Sequence, residues 1–264
     1  MAPSRRAFLA AAAATMAAAC TDHATAPDAA PSTVATRPAP STMPTPAERA
    51  GAVAPASGKP ARVVFAGPRT RGQVALTFHL SGDPALVSRL LDTAAEADVS
   101  ISLFAVGRWL TEHPSLVQRI LDAGHELDNH TWSHPVLGRL SGPAVAAEIR
   151  RCRAALIEAT GGGGRYFRPS GMTRPTPLVL AEAGAAGYPQ VVAFDIDPRD
   201  YTDPGADAVT AIVAARLRPG AIVSLHTSHT GTITALPPIL ATARARGLQP
   251  VRLQQLLATT PSAP

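Results

Sequence analysis

Residues 74–106 read VALTFHLSGDPALVSRLLDTAAEADVSISLFAV and contain one full unit of a pattern that recurs along the chain. An apolar run at 74–78 is followed by a helical pattern that Asp83-Pro84 opens, and a second apolar run covers 99–106. Proline in the first turn is preorganised for a helix, and the apolar positions that follow include Leu86, Leu90 and Leu91. A strand, a helix and a second strand in this order predict parallel strands joined by a crossover helix.

The same alternation continues to the end of the chain. Further strands are predicted at 125–129, 166–167, 191–194, 221–225 and 250–253. Helices are predicted from 109 to 121 with an end at Gly124, over 143–160 and 177–186, and near 206–217 and 236–246. About seven strand–helix repeats imply a parallel α/β sheet, either open or closed into a barrel.

Ionisable side chains follow many of the predicted strands. They are His79, His130 with His134, Arg168, the aspartates Asp195, Asp197 and Asp200, and His226. In parallel α/β folds the chemistry lies at the C-terminal ends of the strands, on the loops. Ionisable groups at five separate strand ends are hard to explain by packing alone, so a functional site is predicted at this edge.

The histidines His130 and His134 are four residues apart. On one helical turn, residues at this spacing share a face, so both imidazoles could reach one metal ion. The pair alone is a weak signal, because two histidines often occur at this spacing by chance. The motif lacks the glutamate of HExxH, which argues against a zinc peptidase of that type.

The last histidine of this group, His226, closes an apolar strand, and an aspartate-rich turn ends the strand before it. A carboxylate next to a histidine raises the pKa of the imidazole and fixes its tautomer, which suits a general acid near neutral pH. Aspartates in such a turn also form Asx turns and cap helices, and some of these are expected to do only that.

Taken in order, these segments resemble the polysaccharide deacetylase family, also called the NodB-homology or carbohydrate esterase family 4 domain. The resemblance covers residues 74–257 and rests on an HTxSH-type motif at 130–134, FRPSG at 167–171, Asp200-Tyr201 and Leu225-His226. The segments 74–78 and 123–127 are also similar to the corresponding segments of the family. The resemblance implies an α/β fold, a distorted (β/α) barrel with about seven parallel strands.

The resemblance also implies an activity, the hydrolytic removal of N-acetyl groups from cell-wall or related amino-sugar polysaccharide. His130 and His134 would then bind a divalent metal, with zinc the expected ion. The general acid would be His226, tuned by Asp200, and Arg168 would orient the base.

Two further residues would form the substrate pocket by the same resemblance. Tyr201 stands where the family often has tryptophan, and Leu225 would line the acetyl pocket.

The first family motif, TFDDGP, is altered in this chain. In the family, its first aspartate is the general base and its second is a metal ligand. Here the segment reads TFHLSGDP at 77–84, so His79 replaces the base and Leu80 replaces the ligand.

Three interpretations of this change remain open. His79 could act as a third ligand beside His130 and His134, and a three-histidine zinc site with one open position is chemically sound. Asp83 could supply the missing carboxylate as ligand or base, although it is also the expected N-cap of the helix that begins at Pro84. In the third interpretation metal is weak or absent, and the domain only binds glycan.

The N-terminus predicts export. Arg5-Arg6 precede an Ala-rich apolar run over 8–19, a signal-peptide pattern too short to span a bilayer, and the arginine pair resembles the twin-arginine motif. The segment Ala17-Ala18-Ala19-Cys20 resembles a lipobox, which would place lipid on Cys20. The alternative is ordinary cleavage and a free secreted protein.

These observations divide the chain into four parts. Residues 1–19 are the signal peptide, and 20–60 are an Ala/Pro/Thr-rich tether that cannot bury enough surface to fold. Residues 61–258 are the deacetylase-like domain, and 259–264 are a tail. The expected location is the outer face of the cell membrane, or the medium if the protein is secreted.

The net charge and the cysteines give further expectations about the binding partners and the core of the protein. The formal net charge is +5 without a Lys/Arg block, so no nucleic acid partner is expected. Cys152 lies on an apolar helical stripe and is expected to be a buried hydrophobe. Nothing in the sequence indicates an oligomer, so a monomer is expected, with an N-acetylated glycan and the membrane as partners.

Overall fold

The computed structural model describes residues 58–258. The predicted signal peptide, the lipid site at Cys20, nearly all of the tether and the tail at 259–264 lie outside the described residues. No helix in the described part of the chain is long and apolar enough to cross a membrane.

Seven strands, all parallel, are present within residues 58–258. They are β1 (Arg62–Val64), β2 (Gln73–Leu80), β3 (Ser102–Ala105), β4 (Glu126–Asn129), β5 (Gln190–Val192), β6 (Ile222–His226) and β7 (Gln249–Pro250). The helices between and after them are α1 (Pro84–Glu96), α2 (Gly107–Glu112), α3 (Pro114–Asp122), α4 (Gly142–Thr160), α5 (Pro177–Ala185), α6 (Ala206–Arg216), α7 (Thr230–Ala245) and α8 (Leu253–Leu256).

The strands form a distorted barrel. Four of them pair in the order β4-β3-β2-β6, while β1 pairs with β5 and the short β7 pairs with β2. Single-residue bridges join the rest, since Phe167 pairs with both Asn129 and Val191, and Ile196 pairs with Val223. The barrel therefore closes through single-residue bridges, because the regular hydrogen-bonded strand pairs do not extend around its whole circumference.

Strand β2 separates the two layers of the core. Its even-numbered residues from Val74 to Leu80 point outward into an apolar cluster that includes Leu90 of α1 and Leu236 of α7. Ala75 lies in the inner cluster, and Thr77 and His79 follow it on the same face because side chains alternate along a strand. This alternation places His79 inside the barrel at its C-terminal end.

The structure corrects several predicted elements. The helix expected over 109–121 is two helices, α2 and α3, because Pro114 has no N–H to continue the first and instead begins the second. The strand expected at 250–253 is confined to β7, because Leu253 begins α8 and the Gln255 side chain accepts from the Arg252 N–H at 3.3 Å. Residues 166–167 form a bridge and no strand, and β1 was not predicted.

Candidate active site and metal centre

Polar side chains from four strand ends meet at one mouth of the barrel. His79 and His226 lie opposite each other as paired residues at the ends of β2 and β6. His130 and His134 follow β4, and Asp200 begins a short turn after β5. A cavity of about 600 Å³ opens there, and His79, His134 and His226 are among its lining residues. The prediction of a site at this edge therefore agrees with the geometry.

Three histidines form a cluster at the base of this cavity. His79, His130 and His134 each offer a ring nitrogen, and these atoms all lie within 4.8 Å of one another. The ring centroids of His79 and His130 are 4.3 Å apart, and those of His130 and His134 are 4.9 Å apart. Three imidazole nitrogens at this separation match the donor set of a zinc site with an open position.

The two histidines after β4 do not share a helical turn, which corrects the sequence-based argument. Thr131 and His134 have positive φ values of 70° and 59°, and a right-handed helix cannot pass through such residues. The segment is a loop, and the ring of His134 reaches the cluster because the chain doubles back.

The hydrogen bonds of the two buried histidines leave one nitrogen free on each. His130 Nδ1 lies 2.8 Å from the Arg168 carbonyl oxygen, which can only accept, so His130 Nδ1 carries the proton and Nε2 a lone pair. His130 Nε2 and His79 Nδ1 are both buried and have no hydrogen-bond partner among the described residues. Because buried nitrogens rarely remain unpaired, this pair indicates a site for an ion.

Burial favours the neutral form of His79 and His130, whereas His134 is an exposed residue with a partly buried ring. Loss of solvent lowers the pKa of His79 and of His130 well below the ordinary value, and the neighbouring histidines lower both further. The pKa of His134 is also lowered, by burial first and by His226 second. Neutral histidine is the form that binds a metal ion.

Asp200 and His226 form a hydrogen-bonded pair beside the cluster. Asp200 Oδ1 lies 2.8 Å from His226 Nδ1, while its Oδ2 accepts from the His226 backbone N–H at 2.7 Å and from the Thr232 hydroxyl at 2.6 Å. Burial raises the pKa of Asp200, but these hydrogen bonds and the nearby imidazole outweigh it, so the pKa lies below its usual value. The carboxylate therefore fixes the proton on Nδ1 and leaves Nε2 of His226 for exchange.

Within residues 58–258, no carboxylate forms an ion pair with Arg168. Its guanidinium donates to the Thr77 hydroxyl and to the carbonyl oxygens of Val192 and Ala193 at 2.8–3.2 Å, and lies 4.0 Å from the Phe104 ring centroid. The physical reason is that position 79 carries an imidazole instead of a carboxylate. Burial lowers the pKa of Arg168 to about 9.

Leu225 does not line the cavity, which corrects its assignment to the acetyl pocket. The side chain is fully buried in the outer apolar cluster, because residues 224 and 226 of β6 face the cavity and 225 faces the helices. Tyr201 lies at the rim, 44% exposed, with its ring centroid 5.3 Å from that of His226.

The other aspartates have structural contacts. Asp83 Oδ1 accepts from the Ala85 N–H at 2.8 Å and caps α1, and Asp83 is not part of the histidine cluster. Asp195 forms an ion pair with Arg218 at 2.7 Å, and Asp197 accepts from the Arg199 N–H. The second of the three interpretations, a carboxylate from Asp83, thus finds no support in the geometry.

Several known proteins are similar to this chain in sequence, and several solved structures are similar to it in fold. A family model described as polysaccharide deacetylase matches residues 66–191. The chain is 33% identical over 188 residues to a chitooligosaccharide deacetylase of Rhizobium leguminosarum bv. trifolii, covering 71% of this chain and 83% of that protein. The chain belongs to the polysaccharide deacetylase family. The family resemblance drawn from the motifs is thereby confirmed.

Two further members of the family bear on function. The peptidoglycan-N-acetylglucosamine deacetylase PgdA of Listeria monocytogenes is 30% identical over 189 residues, covering 71% of this chain and 39% of that protein. A family 4 pseudoenzyme from Bacillus anthracis superimposes with a TM-score of 0.69 at 25% identity, covering 76% of this chain and 70% of that one. A mutant of this pseudoenzyme with restored enzymatic activity gives a TM-score of 0.70 at 26% identity, covering 76% and 72% of the two chains.

Sequence reasoning missed Ser224 as a site residue. Its hydroxyl lies 3.1 Å from His79 Nε2, and the residue lines the cavity. The signal was present in the sequence, because Ser224 precedes His226 by two residues on a predicted strand and therefore shares its face.

Proposed function

We propose that this polysaccharide deacetylase family member is a metal-dependent hydrolase that removes N-acetyl groups from cell-envelope polysaccharide or a related amino-sugar polymer. The observation that carries the proposal is the pair of buried, unpartnered nitrogens on His79 and His130. They lie next to the Asp200–His226 pair, at a cavity that His79, His134 and His226 line. The named activities of the Rhizobium and Listeria relatives support this substrate class.

His79, His130 and His134 would hold the ion, with Nε2 of His130 and Nδ1 of His79 as the free nitrogens. A set of imidazole ligands suits zinc, cobalt, nickel or copper, and zinc is the expected metal. When bound, such an ion polarises the acetamide carbonyl and activates the attacking water.

His226 supplies the proton that the leaving group needs. Hydrolysis breaks the amide C–N bond, so the acetyl carbon gains a hydroxyl group from water and the sugar nitrogen gains one proton as it leaves as an amine. Asp200 accepts from Nδ1–H of His226 and remains ionised, so a second proton taken up by the imidazole sits on Nε2 and is the one available for transfer. General acid catalysis of this kind contributes roughly 10²–10⁴-fold to rate.

The cavity suits one sugar unit with an acetamido group. Its volume of about 600 Å³ lies in the range of ligand sites. Phe194 and Met172 provide apolar lining, and the exposed ring of Tyr201 offers a surface at the rim on which a sugar face can stack.

Acetate release from N-acetylglucosamine oligomers tests the proposal. Protein stripped with a chelator should release no acetate, added zinc should restore release, and His79→Ala or His130→Ala should abolish it. Asp83→Asn is the matched control, because asparagine still caps α1 and should leave release intact. Loss of release in Asp83→Asn with full release in His79→Ala would reject the three-histidine centre.

A second candidate function is glycan binding without catalysis. The similarity to the Bacillus anthracis pseudoenzyme and the altered first motif favour it. It predicts retained binding of the same oligomers with no acetate release under either metal condition.

We further propose that the protein is exported as a monomer and anchored through lipid on Cys20. The leader and the lipobox-like segment support this location. In the producing cell, Cys20→Ala should move the protein from the membrane fraction to the medium, whereas Cys152→Ala should leave it in the membrane. An unchanged fraction in Cys20→Ala would reject the anchor.

A further inference from the structure

Ser224 is bound to one of the clustered histidines by a buried hydrogen bond. The residue is 1% exposed on β6, and its hydroxyl lies 3.1 Å from Nε2 of His79 on the neighbouring strand. Among the described residues this is the only hydrogen bond recorded for the Ser224 hydroxyl. The contact joins two adjacent strands at the level of the cavity, since Thr77 pairs with Ser224 and His79 pairs with His226.

The direction of this hydrogen bond decides what His79 can do. A serine hydroxyl can donate or accept, and a neutral imidazole carries its proton on one nitrogen only. If Ser224 donates to Nε2, the proton sits on Nδ1, which is buried and has no acceptor. If Ser224 accepts from Nε2–H, Nδ1 carries a lone pair and is free to bind a cation.

The first arrangement leaves the Nδ1–H of His79 buried without an acceptor, whereas in the second the O–H of Ser224 can turn toward the cavity that the residue lines. A buried N–H donor without an acceptor costs about 1–3 kcal/mol. The second arrangement leaves a buried lone pair on Nδ1 of His79, which belongs to the three-histidine cluster, and an ion held by that cluster would satisfy it. His130 has the same arrangement, because its Nδ1–H donates to the Arg168 carbonyl oxygen and its Nε2 is left free.

We infer that Ser224 is a positioning residue that accepts a hydrogen bond from Nε2–H of His79 and so presents the Nδ1 lone pair to the histidine cluster. This inference rests on the proposed function, since it concerns the same metal centre. Outer contacts of this kind fix the tautomer and the ring orientation of a ligating histidine, and their loss lowers metal affinity about 10–100-fold.

The test measures zinc affinity by competition with a chelating dye in the full-length protein and three variants. Ser224→Ala should weaken zinc binding about 10–100-fold, and His79→Ala should weaken it more. Ser102→Ala is the matched control, because it removes another buried strand serine whose hydroxyl donates to Glu126 at 2.7 Å, away from the histidines. This control should bind zinc as the wild type does, and thermal unfolding of each variant reports whether it is folded.

A second readout follows the tautomer directly. Long-range ¹H–¹⁵N spectra of the zinc-loaded wild type should show His79 protonated on Nε2, and Ser224→Ala should change the His79 signals but not those of His125. A proton found on Nδ1 of His79 in the wild type would overturn the inference.

The possible failures are distinguishable. If His79→Ala weakens zinc binding but Ser224→Ala does not, the inference about Ser224 is wrong and the metal centre stands. If the wild type binds no zinc, or His79→Ala binds it unchanged, the proposed metal centre fails and the role of Ser224 fails with it. An acetyl group trapped on Ser224 during turnover would instead identify a nucleophile and overturn the positioning role.

Discussion

The replacement of a carboxylate by an imidazole at position 79 changes the charge at the base of the cavity. Three neutral histidines bring no negative charge to an ion, and among the described residues the buried guanidinium of Arg168 donates hydrogen bonds only to neutral groups. An ion held there keeps its full positive charge and is a stronger Lewis acid than one beside an aspartate. Burial disfavours a charged His79, and the neighbouring imidazoles and Arg168 lower the pKa of His79 further.

His226 is the residue whose loss should separate catalysis from metal binding. His226→Gln removes the proton donor, so acetate release should fall about 100-fold or more, while zinc affinity should not change because His226 lies outside the three-histidine cluster. Release is measured in the coupled acetate assay and affinity by dye competition. His113→Gln, at a histidine outside the cavity, is the control, and equal rates for the two variants would contradict the assignment.

The buried side chain of His125 should make the free energy of unfolding depend on pH. Burial, aided by Arg252 and Arg119, lowers the pKa of His125 from 6.5 to about 4, so the unfolded chain binds this proton more readily than the folded one. The free energy of unfolding should therefore decrease as pH falls from 6.5 toward 4. The contribution of His125 to this loss is about 3 kcal/mol.

His125→Asn tests this contribution, because asparagine places an oxygen where Nδ1 accepts from the Ile101 N–H. Urea unfolding at pH 7 and at pH 4.5 should show a smaller loss of stability in the variant than in the wild type. Equal losses would mean that other groups account for the pH dependence. Glu126, whose pKa burial raises, acts in the opposite direction and is present in both proteins.

At the scale of secondary-structure elements, helix α4 holds the loop that carries His134. The Glu148 carboxylate accepts from the Ser133 N–H and from the Ser133 hydroxyl, each at 2.8 Å, and the Arg151 guanidinium lies 3.9 Å from the Trp132 ring centroid. His134 has a positive φ, so this loop needs outside contacts to keep its shape.

Glu148→Gln should loosen that loop without unfolding the domain. Glutamine offers one acceptor where two are used, so zinc affinity should fall roughly 3–10-fold, toward the lower end of effects from outer contacts. The melting temperature should change little, because Glu148 is only half-buried and glutamine retains one of the two acceptors. Glu158→Gln, an exposed glutamate on the same helix, should bind zinc as the wild type does, and a matching loss in both variants would contradict the role of Glu148.

At the scale of the whole molecule, the barrel packs its helices around an outer core that includes Leu80. Leu80 is fully buried in the outer apolar cluster although it follows His79 directly. The position that carries a metal ligand in the family motif therefore contributes to packing in this chain. Restoring the family motif at position 80 would therefore replace a buried apolar side chain with a buried charged one.

The double substitution His79→Asp with Leu80→Asp tests whether the scaffold still supports the family chemistry. Without metal, the variant should lose about 2–5 kcal/mol of stability, because a buried leucine is lost and charge is buried. With zinc, it should release acetate faster than the wild type, because Arg168 regains a carboxylate neighbour and the ion regains an acidic ligand.

Thermal unfolding with and without zinc and the acetate assay measure the two effects. Leu80→Asp alone is the control, and it should be destabilised without a gain in rate. A double variant that folds and binds zinc but releases no acetate would mean that the pocket has diverged beyond its first motif. The pseudoenzyme mutant with restored activity shows that a neighbour with this fold has returned to catalysis by substitution.

Local patterns along the chain were sufficient to predict the α/β class, the parallel strands and most helices. Period-two and period-3.6 apolar patterns report burial of single elements, and Asp83-Pro84 and Gly161 mark helix ends through local backbone chemistry. The same patterns placed His79, His130, His134, Asp200 and His226 at strand ends, where they lie in the structure.

Contacts between distant parts of the chain decided the rest. The sequence could not reveal that the Arg168 carbonyl fixes His130, that Ser224 holds His79, or that Arg168 finds only neutral partners, since these residues are 24 to 145 positions apart. The shape of the loop at 130–134 likewise depends on Glu148 of a later helix. Hydrogen bonds to a buried imidazole set its tautomer, and only the folded chain brings the partners within reach of each other.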